Sequence, residues 1–177
     1  FMALPGRKRI VHITRDPFKL VVAGYMYHRM TDDSIFSESV SAKQLAEMPF
    51  KAGVELFADF AAKNWLRDMV EVDAAIRADG ADALTLRLEA FSASQAAFDA
   101  AAARVFEFLT GGDEEATAAM LETATKYDLF GRTKQFVKQA TESLPDMAHK
   151  AYMQISRLPN NISSALLEMR YQLGYDI

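Results

Sequence analysis

A short run of β-branched residues that leads directly into a helix start constrains the fold of this chain more than any other feature. Residues Arg9–Thr14 read Arg-Ile-Val-His-Ile-Thr, which is typical of a buried strand. Arg15-Asp16-Pro17 follows. Asp is a favoured N-cap, and Pro suits the first helical position because its missing N–H would have no partner there. Apolar residues then recur at helical spacing through Phe18–Met30. The segment predicts a strand, a tight turn and a helix.

The remaining patterns predict a helix-rich α/β domain. Apolar residues three or four apart predict one long amphipathic helix, or two, over Phe50–Ala78. Alternating apolar and polar residues predict a second strand at Ala83–Glu89. Because helices separate the two strands, a short parallel sheet is expected. A short helix is predicted at Ala42–Met48 within the Thr31–Met48 loop. Another starts with a Ser92/Gln95 capping box and stops at Gly111-Gly112, and its predicted core face is Phe98, Ala102, Val105, Phe106 and Leu109. A third opens at Asp113, and the last is started by Pro159 with Asn160 or Asn161 and ended by Gly174.

Composition excludes several classes of protein. The chain has 177 residues, of which 50% are hydrophobic, so we expect one globular domain over residues 1–177 rather than disorder. No apolar run reaches the ~18 residues of a membrane-spanning helix. The absence of cysteine excludes disulfides and thiolate chemistry and leans toward a reducing compartment such as the cytoplasm. A net charge of −4 gives no global reason to bind nucleic acid, although Arg7, Lys8 and Arg9 form a local basic cluster.

The turn after the first strand is a predicted anion site. Free backbone N–H groups and the dipole of a helix N-terminus point to the edge where ligands of open α/β sheets gather. Arg15 is the first residue past the strand, and its guanidinium suits phosphate or sulfate oxygens. The alternative for Arg15 is an ion pair with a nearby carboxylate.

Four segments resemble sulfotransferases that use 3′-phosphoadenosine 5′-phosphosulfate. Arg9–His28 is similar to the family's 3′-phosphate-binding segment, a strand leading into Arg-Asn/Asp-Pro and a helix that carries Ser and then Tyr. Leu86–Phe91 resembles a strand that ends in an Arg-Tyr-Glu-Asp-Leu-like motif, Val105–Gly111 resembles a helix that ends in Phe-Leu-Gly, and Leu173–Tyr175 resembles a common C-terminal ending. The resemblance implies a P-loop-type fold and transfer of a sulfuryl group to a hydroxyl or amine of a small molecule or glycan, without a metal.

The resemblance also assigns site residues. Arg15 falls on the arginine that holds the donor's 3′-phosphate. Arg132 and Lys134 lie about where the family places a basic loop over the same phosphate, with a basic surface turn as the alternative. Ala23 stands where the family has its serine, eight residues after the arginine. The Gly- and Lys-bearing loop that holds the 5′-phosphosulfate, expected upstream of Arg9, is missing from the sequence, and no catalytic base is assigned.

These departures leave other functions open. One alternative is a catalytically inactive sulfotransferase-like domain that serves as a structural or binding subunit. Another is a nucleotide kinase or other P-loop phosphotransferase, which needs a Walker lysine that the sequence lacks. A sheet of Arg9–Thr14 and Ala83–Glu89 alone would leave unpaired edges, so we expect a further strand from an upstream segment or a neighbouring chain.

The other residues with chemical potential have simpler interpretations. His12 is expected to pack in the sheet, and the dispersed histidines show no metal spacing. His28 is expected near the C-terminus of its helix, with approach to a ligand as the alternative. His149 is expected to match a family histidine, and Glu89 is expected to form a structural ion pair. Core packing is expected for Phe57, Trp65 and Met69, and a helix cap rather than a glycosylation site is expected for Asn161-Ile162-Ser163.

Overall fold

Two strands and nine α-helices, with one π-helical segment, make up the regular structure of the described residues, which are 9–31, 41–80, 82–126 and 145–175 of a computed structural model. In chain order they are β1 (Ile10–Thr14), α1 (Pro17–Met30), α2 (Ala42–Glu47), α3 (Phe50–Ala61), the π-helical segment (Ala62–Leu66), α4 (Arg67–Asp79), β2 (Ala83–Arg87), α5 (Leu88–Ser92), α6 (Gln95–Thr110), α7 (Glu114–Lys126), α8 (Pro145–Ile155) and α9 (Asn160–Gln172).

The chain divides into two compact units. The sheet unit comprises residues 1–15 and 72–135, and the helical unit comprises residues 16–71 and 136–177. Helix α4 begins in the helical unit and ends in the sheet unit. The expectation of one domain over the whole chain stays a prediction.

The sheet unit contains the predicted parallel pair of strands. Ile10 of β1 lies opposite Ala83 of β2, and Thr14 lies opposite Arg87. Helices α5 and α6 pack on each other and on β2, and α7 packs on α6. The prediction that β2 continues to Glu89 is wrong, because α5 begins at Leu88. Leu, Glu and Ala are strong helix formers, so alternation alone did not decide the end of this strand.

Helix α6 starts and ends with side-chain and backbone caps. The predicted capping box is wrong: Ser92 ends α5, and the N-cap of α6 is Ser94, whose Oγ accepts a hydrogen bond from the N–H of Ala97 at 3.1 Å. The predicted end is confirmed, since Gly111 has φ +76°. Arg9 Nη1 donates to the carbonyl oxygen of Leu109 at 2.6 Å. This arginine of the basic cluster thus satisfies a free carbonyl in the last turn of a helix.

Alanine at Gly111 should destabilise the protein more than alanine at Gly112. Both glycines have positive φ, +76° and +85°, which costs a non-glycine residue about 1 kcal/mol. Only at Gly111 would the added Cβ meet another group, Arg9 Nη2 at 2.5 Å, whereas nothing lies within 4 Å at Gly112. The Arg9 guanidinium can move away, but it then gives up its hydrogen bond to the carbonyl oxygen of Leu109. We expect urea denaturation to show a larger decrease in the free energy of unfolding for Gly111→Ala than for Gly112→Ala. In an Arg9→Ala background the two losses should become equal, and a persistent difference would contradict this account.

The helical unit is built around α1. This helix packs against α2, α3, α8 and α9, and α3 also packs against α8. The predicted apolar faces of α1 and α3 are confirmed, because the side chains that define them are buried. The largest fully buried side chains of the described residues include Val21, Tyr25, Met26, Val54, Phe57, Leu66, Ile155 and Leu166.

The predicted long helix over Phe50–Ala78 is confirmed, with one irregular turn. Helix α3, the π-helical segment and α4 follow one another without a break. A π-helical turn inserts one residue into a helix, which leaves the three-to-four spacing of apolar residues nearly unchanged. Trp65 lies in this turn, and its ring contacts those of Phe57 and Phe60 at centroid distances of 5.7 and 5.6 Å.

A tyrosine–arginine pair joins α1 to α2. Arg29 Nη1 donates to the hydroxyl oxygen of Tyr25 at 2.7 Å and to the carbonyl oxygen of Leu45 at 3.0 Å. Burial raises the pKa of the Tyr25 hydroxyl, and the charge and hydrogen bond of Arg29 oppose that rise. Tyr25 is therefore neutral at physiological pH and accepts a hydrogen bond from a cation.

Helix α9 begins and ends as predicted, but its N-cap differs. Its N-cap is Pro159, with no side-chain cap, so the prediction of an asparagine cap is wrong. The Pro159 carbonyl oxygen accepts from the N–H of Ile162 at 2.9 Å. Gly174 has φ +74° and ends the helix. In the described part of the chain, no helix has both the length and the apolar character needed to cross a membrane.

Candidate functional site

The predicted strand, turn and helix are all present. β1 ends at Thr14, Arg15 follows it half-buried, and α1 begins at Pro17 with Asp16 as its N-cap. This arrangement confirms the interpretation of the Asp-Pro pair as a helix start.

The N–H groups in the first turn of α1 already have hydrogen-bond acceptors. Asp16 Oδ1 accepts from the N–H of Phe18 at 2.8 Å and from that of Lys19 at 3.3 Å. Pro17 has no N–H, and the N–H of Leu20 donates to the Asp16 carbonyl oxygen at 2.8 Å. The expectation that free backbone N–H groups wait here for an anion is therefore wrong, because the capping carboxylate already occupies that position. An anion near this turn does not have the N–H groups of Phe18, Lys19 and Leu20 available to it.

The Asp16 carboxylate is also neutralised. Arg170 of α9 places Nε 3.1 Å and Nη2 3.0 Å from Asp16 Oδ2, so two guanidinium nitrogens share one carboxylate oxygen in a charge-assisted contact. The same guanidinium carbon lies 4.8 Å from the centroid of the Phe18 ring. Since Asp16 is only 6% exposed, this pair fixes the start of α1 from inside the helical unit. Sequence reasoning missed Arg170.

Of the other candidate residues, those that the structure describes lie on α1, α5 and α8. Arg132 and Lys134 lie outside the described residues. Ala23 is buried in α1, so the position that carries a serine in sulfotransferases here holds a methyl group in the interior. Glu89 lies in the first turn of α5 rather than at the end of a strand, and His149 is exposed on α8.

His12 belongs to a small polar cluster in the sheet unit. Its Nδ1 lies 3.6 Å from Oδ1 of Asp73, which is 5% exposed. Arg77, one turn further along α4, forms an ion pair with the same carboxylate. A signal for this cluster was present in the sequence, because Asp73 falls between Met69 and Ile76 on an otherwise apolar helix face.

His28 lies in the aromatic core of the helical unit. It is 4% exposed, its ring stacks on Phe57 with centroids 6.0 Å apart, and the Trp65 ring lies 5.8 Å away. It occupies the last turn of α1 as expected, but its burial removes it from direct approach by a ligand. The predicted core role of Phe57 is confirmed, and Trp65 and Met69 pack against that core partly buried.

An apolar cavity of about 160 Å³ lies in the sheet unit. Phe91 and Phe98 meet edge to face at its wall, with centroids 6.3 Å apart. The apolar face predicted for α6 lines this cavity and is not fully buried, and Leu109, predicted to be in the core, is 41% exposed. The lining residues are Ile13, Leu86, Phe91, Phe98, Ala101, Ala102, Val105 and Phe106.

Among the residues that the structure describes, no three His, Asp or Glu side chains are grouped so as to hold a metal ion. No family model, curated protein or solved structure matches this chain.

Proposed function

We propose that this chain is a P-loop-type, sulfotransferase-like domain whose β1–α1 turn binds the 3′-phosphate of a 3′-phosphoadenosine nucleotide through Arg15. One observation carries the proposal: a strand paired in parallel with its neighbour runs through Arg15 into a helix capped by Asp16. This is the order of elements that the sequence resemblance requires. Arg15 lies at the carboxyl end of the strand, which is the edge where open α/β sheets bind their ligands.

The electrostatics of the turn favour a side-chain mode of binding. An unpaired carboxylate beside a phosphate would repel it, but the Arg170 guanidinium lies within 3.1 Å of Asp16 Oδ2 and offsets that charge. The proposal places the planar Arg15 guanidinium on two phosphate oxygens. Arg132 and Lys134 are included in the proposal as further cations over the same phosphate.

Sulfuryl transfer is the reaction that this binding mode would serve. A hydroxyl or amine of a small molecule or glycan attacks the sulfur of 3′-phosphoadenosine 5′-phosphosulfate, its new bond to sulfur forms as the bond from sulfur to the 5′-phosphate oxygen breaks, and its proton passes to a base that remains unassigned. Positioning and positive charge supply most of the catalysis in such transfers, as in phosphoryl transfer. Residues 1–177 contain no Gly- and Lys-bearing phosphosulfate loop, so transfer also requires that loop from a further strand, in an upstream segment or a neighbouring chain.

A second candidate is an inactive sulfotransferase-like domain that acts as a structural or binding subunit. The buried methyl group of Ala23 and the occupied N–H groups of Phe18 and Lys19 favour it. Both features remove donors that a phosphate would otherwise use.

Calorimetric titration with 3′-phosphoadenosine 5′-phosphate separates the two candidates. Nucleotide binding predicts micromolar affinity in the wild type and a loss of at least about tenfold in Arg15→Ala, because a hydrogen bond to a charged group contributes about 1.5–3 kcal/mol. Arg104→Ala, which removes an exposed arginine from α6 in the same unit, is the matched control and should bind normally. Absence of binding in the folded wild type, or equal losses in both variants, would favour the second candidate.

A further inference from the structure

We propose that the apolar cavity of the sheet unit binds one uncharged, apolar ligand group of about the size of a single aromatic ring. The two strands and two helices of this unit build it together. Ile13 of β1 and Leu86 of β2 are direct partners in the parallel register, and Phe91 of α5 and five residues of α6 complete the wall. Ala101 and Ala102 end at Cβ, so the space lies between their methyl groups and the surrounding rings.

The lining determines the class of ligand. None of the eight lining side chains carries a nitrogen or oxygen atom. A charged or strongly polar group that entered would lose its hydration without gaining a partner, which excludes nucleotides, sugars and ions. An apolar group loses no hydrogen bond and gains dispersion contacts.

The volume determines the size of ligand. The cavity is partly open to solvent and measures about 160 Å³, close to the volume of enclosed engineered apolar cavities of about 150 Å³ that bind benzene. Drug-sized ligands need about 300 Å³ or more. Phe91 and Phe98 already form an edge-to-face pair with an interplanar angle of 70°, and aromatic rings favour edge-to-face or offset neighbours. A phenyl ring with one small substituent therefore fits this wall best.

The position of the cavity supports a ligand rather than a packing defect. Ile13 and Leu86 belong to the carboxyl-terminal halves of their strands, at the edge where ligands of parallel sheets gather. Ile13 lines the cavity and is 50% exposed to solvent. A small molecule can therefore enter without unfolding the sheet. The inference is independent of nucleotide binding, since no lining side chain can contact a phosphate.

Toluene tests this inference on the full chain. We expect saturable binding of one toluene in a calorimetric titration and an increase in melting temperature. Benzoate, which has the same ring and a negative charge, should not bind. Ala102→Leu places three additional carbons in the cavity and should weaken toluene binding at least tenfold. Ala100→Leu makes the same change at an exposed position of the same helix and should leave binding unchanged.

A variant with a larger cavity tests the inference through a change in ligand preference rather than through a loss of binding. Val105→Ala removes two methyl groups from the wall and should shift the preference from toluene toward propylbenzene. The inference is overturned if the folded wild type does not bind toluene, if benzoate binds equally well, or if the two leucine variants behave alike. It is also overturned if sedimentation shows that the chain self-associates and Ala102→Leu abolishes that association, because the occupant is then a second copy of the chain.

Discussion

Replacing Asp16 with alanine is expected to lower the free energy of unfolding by about 4 kcal/mol. The substitution leaves the Arg170 guanidinium, whose side chain is 17% exposed, without its carboxylate partner. Breaking a buried pair from one side costs about 3–5 kcal/mol, because the remaining charge stays desolvated. The N–H groups of Phe18 and Lys19 lose their acceptor in the same step. Urea denaturation at neutral pH measures the loss.

A second aspartate separates the cap from the ion pair. Asp113 caps α7, where its Oδ1 accepts from the N–H of Ala116 at 3.0 Å in an exposed setting. Asp113→Ala should therefore cost only about 1 kcal/mol, the usual contribution of an N-cap. Asp16→Asn should fall between the two alanine variants, because asparagine still caps a helix but does not neutralise Arg170. Equal losses for Asp16→Ala and Asp113→Ala would contradict the role given to Arg170.

The start of α1 shows what local sequence can and cannot predict. Asp followed by Pro predicts the helix boundary because both preferences act within one turn. Arg170 is 154 residues away from Asp16, and its spacing in α9 marks it only as one more charged residue. The carboxylate that occupies the helix N-terminus was therefore predictable, whereas the cation that neutralises it was not.

The sheet unit shows the same limit of prediction from local sequence. The parallel pairing followed from the helices between the strands, because a parallel pair needs a long crossover connection and a helix usually supplies it. The spacing of Phe98, Ala102 and Val105 correctly marked an apolar face on α6. Whether that face is buried or lines a cavity depends on which elements cover it, and the spacing of one helix holds no information about its neighbours.

Gly24→Ala in α1 is expected to lower the free energy of unfolding by about 2 kcal/mol. Helix propensity alone predicts the opposite sign. In an unconstrained helix interior this substitution stabilises by about 1 kcal/mol. Here the added Cβ would lie 2.6 Å from Cζ and 2.9 Å from Cε1 of Phe57, and 3.4 Å from Cζ3 of Trp65. The Phe57 ring is fully buried, and the His28, Trp65 and Tyr25 rings surround it at 5.7–6.4 Å, so it has no room to move away.

The Phe57→Leu background distinguishes this steric cost from any backbone effect at Gly24. Leucine is shorter than phenylalanine and removes the Cζ and Cε1 atoms that the alanine methyl would meet. Overpacking of a core costs about 1–3 kcal/mol, and with the ring gone that cost should disappear while the propensity gain remains. Gly24→Ala should then change sign and stabilise the Phe57→Leu protein by up to about 1 kcal/mol, as measured by thermal and urea unfolding of the four proteins of the double-mutant cycle. If the two substitutions are additive, the contact with Phe57 does not determine the glycine at this position.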